Sequence, residues 1–210
     1  MRLVPEATTT TAGRIEIAQP KRFTIGAVLV LSLYGLCLAL PIFASVLVVS
    51  VVKFGVLTVL IPLLAIAGTA FFLPFGLGNP YVARLVQSFM PAAANPGDGF
   101  IVQLTLWPRI RSGLRAVLED ADDVGYLRFD AAGLTFEGDS VKLSVPYSRL
   151  EEAQFQNIGL RGLFVYGRRI GVGVSGLPNV DYLEFTERSS WLLPTSRRIS
   201  KELYKQLSRK

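Results

Sequence analysis

Two groups of cations are the side chains best suited to recognise a partner. Arg109, Arg111 and Arg115 precede an acidic run, and Arg197, Arg198, Lys201 and Lys205 crowd the C-terminus. The first group opens a short predicted helix that ends in Glu119, Asp120, Asp122 and Asp123. That order opposes the helix dipole, which favours acids first and bases last by ~0.3–1 kcal/mol per charge. Such a reversal marks either a surface that meets anionic headgroups, at ~1 kcal/mol per cation, or arginines that pair with acids elsewhere in the fold. The acidic run fails as a calcium loop, because Val124 takes the fifth position and Ala131 the twelfth, where oxygen ligands are required. It reads as a solvated helix end. There is no histidine and one cysteine, Cys37, inside an apolar run. An internal disulfide, a Cys/His zinc site and histidine-based triads are therefore excluded. No residue is assigned to catalysis, to a metal or to a cofactor, and the chain is expected not to be an enzyme.

The elements that must position these cations fall into two regimes. Residues 23–78 carry one charge, Lys53. They divide into apolar runs at 23–52 and 54–78, each longer than the ~20 residues that span a bilayer. A turn at Lys53 makes them antiparallel, which predicts a two-helix transmembrane hairpin. Arg14, Lys21 and Arg22 lie before it, and Arg84, Arg109, Arg111 and Arg115 after it. By the positive-inside rule both termini face the cytoplasm, giving a multi-pass protein of the plasma (inner) membrane. Residues 1–22, with four consecutive threonines and no apolar periodicity, read as a disordered tail.

Asn79-Pro80 starts a helix, with Val82, Leu85, Val86 and Phe89 along one face. This helix lies in the membrane interface or packs on the domain that follows. A linker completes residues 79–99. Residues 100–210 form a mostly β domain. Strands are predicted at 100–107, 124–129, 134–137, 141–145, 152–156, 163–166, 170–174 and 182–186, with a short helix near 114–121. A final helix runs from Thr195, with Ile199, Leu203 and Leu207 on one line. Trp107 and Trp191 are expected in the core. Residues 79–194 carry a net charge of −2 and residues 195–210 of +5. The positive charge is thus in the tails, which argues against nucleic acid as a partner.

Gly133-Leu134-Thr135-Phe136-Glu137-Gly138, followed by Val145-Pro146-Tyr147-Ser148-Arg149-Leu150-Glu151-Glu152-Ala153, resembles the bacterial pleckstrin-homology-like and GRAM-type domains. The resemblance covers about residues 124–209. It implies a small β barrel plugged at one end by a C-terminal helix, behind transmembrane helices, with a binding or scaffolding role. The phosphoinositide signature of some relatives is matched only by Arg109-Ile110-Arg111, ahead of the barrel, so lipid recognition does not carry over.

The expected protein is therefore an α+β membrane protein, with two transmembrane helices followed by a PH-like barrel. Its expected function is a non-catalytic module that binds a protein partner or lipid headgroups at the cytoplasmic membrane surface. The seven cations would contact anionic headgroups, and the bilayer itself would be a partner. The alternative is an accessory subunit of a larger membrane complex, with the helical hairpin as the interface.

Overall fold

Alternating side chains build the sheet. In Val141-Lys142-Leu143-Ser144-Val145 the odd positions are buried and the even ones exposed, the period-2 pattern of a strand with one wet face. A computed structural model of the chain describes residues 13–51, 55–72, 78–90, 99–111, 113, 121–156 and 169–208. Its strands are β1 (Arg14–Ile17), β2 (Phe100–Trp107), β3 (Asp123–Phe129), β4 (Gly133–Gly138), β5 (Val141–Pro146), β6 (Leu150–Gln156), β7 (Arg169–Leu177) and β8 (Val180–Glu187). The helices are α1 (Ile25–Val51), α2 (Leu57–Phe72), α3 (Gly78–Phe89) and α4 (Leu193–Leu207).

The strands form one antiparallel sheet in the order β1-β5-β4-β3-β2-β8-β7-β6. The sheet curls around its core. Gly13, just ahead of β1, lies so close to Leu177 at the end of β7 that an added Cβ would stand 2.8 Å from Leu177 Cδ2. Val102, Leu104, Leu127, Phe136, Val145, Ile170 and Phe185 fill the concave side. Pro194 stands in the first turn of α4, where no backbone N–H is needed. Leu203 and Leu207 of this helix enter the same core, and Tyr204 stacks on Phe155 at 4.4 Å between ring centroids.

The convex side of β2 and β3 is covered too. Phe23, Ala27, Val28 and Leu31 at the start of α1, with Val82 and Val86 of α3, bury Ile101, Val124 and Tyr126. Strands covered on both faces read as nearly continuous apolar runs, and β2 is buried from Ile101 to Leu106.

Several expectations are corrected here. Among the described residues no helix is long and apolar enough to cross a membrane. Within the second apolar run the described residues form α2, Leu57–Phe72. The transmembrane hairpin of 23–78 is therefore overturned, and with it the multi-pass membrane location with both termini cytoplasmic. A hairpin followed by a PH-like barrel is overturned as well. The fold is α+β, dominated by a curled eight-stranded sheet, and β1 precedes the helices yet pairs with β5. α1, α2 and α3 are thus inserted between strands of one sheet. Residues 14–17, placed in a disordered tail by sequence, are an edge strand of that sheet. The short helix near 114–121 and the strand at 163–166 lie largely or wholly outside the described residues, as do Arg115, Lys53 and the side chain of Cys37.

Leu203→Ala is expected to lower the unfolding free energy of the full chain by about 2–5 kcal/mol, the cost of a cavity at a fully buried leucine. Urea denaturation followed by far-UV circular dichroism measures it. A loss below about 1 kcal/mol would remove α4 from the core.

Candidate interaction surface

The β4–β5 turn holds the root of α1. Asp139 presents one carboxylate oxygen, Oδ2, to three successive backbone amides: Lys21 and Arg22 donate at 2.8 Å and Phe23 at 2.9 Å. The Ala18 amide donates to the Ser140 carbonyl at 2.7 Å, and Arg22 Nη1 donates to Ser88 Oγ of α3 at 2.6 Å. An anion at the amino end of a helix also meets the positive end of its dipole. The chain entering α1 is thereby fastened to both the sheet and α3.

Behind this turn lies a buried polar chain. Arg111 Nε donates to the Asp122 carbonyl at 2.6 Å, and its Nη2 donates to Ser140 Oγ at 2.5 Å. Asp122 accepts the Leu106 and Arg111 amides at 2.8 and 3.1 Å. Asp123 accepts the amides of Val124, Ser140 and Val141 at 2.7–2.9 Å. Burial raises the pKa of both carboxyls above the ordinary 3.8, against the opposing pull of these amides and, for Asp122, of Arg109 and Arg111. The acidic run is therefore not a solvated helix end at Asp122 and Asp123, which are 1% and 0% exposed. Arg109 and Arg111 are half-buried, and each is engaged within the fold. Arg111 turns inward, and Arg109 stacks over the ring of Trp107 at 5.3 Å. Their reversed order along the sequence reflects pairing within the fold.

A second buried group ties α3 to the end of β8. Asn79 is not a simple helix cap: its Nδ2 donates to the Ser190 carbonyl at 2.5 Å, and Arg188 Nη1 donates to its Oδ1 at 3.2 Å. Glu187, fully buried, accepts Ser189 and Ser190 amides on Oε1 and Ser196 Oγ on Oε2. The helix with Val82 and Val86 thus packs on the sheet and on α1. Neither polar group exposes a nucleophile or an acid–base pair to solvent. Among the described residues no three His, Cys, Asp or Glu are grouped to hold a metal ion.

Comparison with protein-family profiles, curated proteins and solved structures finds no match. The resemblance to PH and GRAM-type domains is not supported, and the surface must be interpreted from its own chemistry.

Two exposed features remain. Arg197, Arg198, Lys201 and Lys205 stand together on the outer side of α4, all exposed. Trp107 and Trp191, expected in the core, are 40% and 60% exposed. The larger feature is apolar. Beyond their buried root, α1 and α2 pack against each other and leave Leu40, Phe43, Leu47, Val51, Val59 and Leu64 exposed, Phe43 by 70% and Val51 by 77%. Leu47 is flanked by exposed Val46 and Val48, so more than one side of α1 is uncovered and apolar. Ser32, Ser45 and Ser50 donate their hydroxyls to carbonyls of their own helix, at 2.7–3.0 Å. Sequence reasoning located this feature by its hydropathy. It missed Asp139, whose role depends on a contact across more than a hundred residues.

Asp139→Ala is expected to raise hydrogen exchange at the Lys21, Arg22 and Phe23 amides by about tenfold or more, since charge-assisted bonds contribute roughly 1.5–3 kcal/mol. Exchange in β7 and β8 should not change. Equal exchange in both proteins would show that the carboxylate does not hold the root of α1.

The raised carboxyls set a pH dependence. The folded state binds these protons more tightly than the unfolded chain, so their contribution is complete below pH 3.8 and is lost as pH rises through the raised folded values. Against Asp122→Asn, wild type is expected to gain relative stability as pH falls from about 7 to about 4. Urea unfolding of both proteins across that range measures the difference, and a flat difference would contradict it.

Proposed function

We propose that the chain is a non-catalytic interaction module, with α1 and α2 as its attachment surface and the curled sheet as the body they carry. The observation that supports it is the exposed apolar face of the helix pair. Isolated soluble proteins seldom expose a contiguous apolar patch beyond about 300–600 Å², and helices apolar on several sides are usually covered. The occupant proposed is the apolar helical surface of a larger assembly, which makes the chain an accessory subunit. Packing of apolar helices needs no polar groups, and the serines of α1 offer none. The absence of histidine and the internal use of Asp122, Asp123 and Glu187 fit a binding role.

A second role, contact with anionic lipid headgroups, is favoured by the exposed Arg197, Arg198, Lys201 and Lys205 on α4. Each cation near an anionic surface contributes about 1 kcal/mol. Arg109, Arg111 and Arg115 are not part of this reading.

The test compares the full chain with the triple variant Leu40→Gln, Phe43→Gln, Leu47→Gln. The wild type, purified from its host in mild detergent, is expected to travel in size-exclusion chromatography with a stoichiometric partner. The variant should travel alone while keeping the urea midpoint of wild type. A wild-type chain that is monomeric with and without detergent would overturn the attachment role. A monomer that floats with uncharged vesicles, and loses this in the variant, would replace the partner's helices by lipid.

A further inference from the structure

A groove of about 400 Å³ runs between α4 and the start of β2, lined by Phe100, Arg198, Ile199, Lys201, Glu202 and Lys205. Its two walls differ in chemistry. Phe100 and Ile199 are half-buried and form an apolar floor. The Phe100 ring is held edge-on to Phe129, with centroids 6.0 Å apart at 83°, so its face is fixed before anything binds. The other wall is cationic. Arg198, Lys201 and Lys205 recur at three- and four-residue spacing, which places them on one side of the helix. Glu202 is the single acid, 3.7 Å from Lys205. Three cations against one acid leave a net positive rim.

We infer that this groove binds a single-chain anionic amphiphile, its acidic head against Arg198 and Lys201 and its apolar chain along Phe100 and Ile199. The volume falls in the range of small-molecule sites, which are mainly apolar with a few placed polar groups. A bare anion would leave the floor unused, and an uncharged chain would leave the rim unused. A flat anionic surface predicts something different. It would engage exposed Arg197 as much as Arg198, although Arg197 is not part of the groove. The site does not depend on α1 and α2 as an attachment surface.

The experiment uses the full chain in mild uncharged detergent, with dodecanoate as the probe, and dodecanol and acetate as comparisons. Binding is followed by calorimetry and by amide chemical shifts. Dodecanoate is expected to saturate at one per chain and to shift the Phe100, Lys201 and Lys205 amides. Dodecanol and acetate should each bind at least tenfold more weakly. Arg198→Gln with Lys201→Gln should weaken dodecanoate about tenfold or more. Arg197→Gln should leave it within twofold, and so should the triple variant Leu40→Gln, Phe43→Gln, Leu47→Gln. Equal binding of dodecanoate and dodecanol would overturn the groove as an anion-reading site. Loss in Arg197→Gln equal to that in the Arg198/Lys201 variant would reduce it to general surface attraction. Loss in the triple variant alone would place the amphiphile on α1 and α2, which leaves the attachment role standing while the groove fails.

Discussion

One carboxylate oxygen determines where the apolar helices leave the sheet. Asp139 Oδ2 gathers the amides of Lys21, Arg22 and Phe23. Those amides belong to the residues just before α1, which begins at Ile25. The turn that carries Asp139 is held from behind, because Asp123 accepts the amides of Ser140 and Val141 on the other side. One acid within the turn and one from β3 therefore fix it from both sides. Phe23 then has a fixed direction into the contact with Val124 and Tyr126, and the first turns of α1 follow it.

Burial of charge elsewhere follows the same logic. Buried polar groups are costly unless their hydrogen bonds are complete. Asp122 meets the backbone of β2 and of Arg111, Glu187 meets three serines, and Arg169 lies 3.4 Å from Glu184 with both nearly enclosed. Removing one member of such a pair is expensive, whereas the pair itself adds little net stability. These groups specify which turn meets which strand. The apolar core, with Phe136, Leu143, Leu183 and Leu203, provides the driving force.

Much of the sheet was legible in the sequence. Phe100–Trp107 matches its strand, and the strands around the two turns at 130–133 and 138–140 fall within a residue or two. Alternation and turn residues are local properties, so a local pattern suffices. β1 was not legible: Arg14-Ile15-Glu16-Ile17 is four residues with a charged wet face, and only pairing with β5 makes it a strand. In the run at 54–78, hydropathy does not mark where the helix begins. Gly55 adopts a positive φ of 60°, and α2 begins at Leu57. Arg111 reads as a surface cation because its partners, Asp122 just before β3 and Ser140 in the β4–β5 turn, are 11 and 29 residues away. Exposed Trp107 has an arginine over its ring, a pairing that strand periodicity does not encode.

The pairing of β1 with β5 also imposes an order on synthesis. Arg14 meets Ser144, so the first strand waits for some 130 residues before its neighbour exists. Closing a loop of that length costs about 4 kcal/mol of chain entropy. During this interval both apolar helices are already outside the ribosome, while the strands that bury the root of α1 are not yet made. A nascent chain in that state presents its least soluble segment first, without the sheet that orients it. Until β2 and β3 are made, the root of α1 has none of the sheet contacts that bury Phe23 and Val28 in the finished fold.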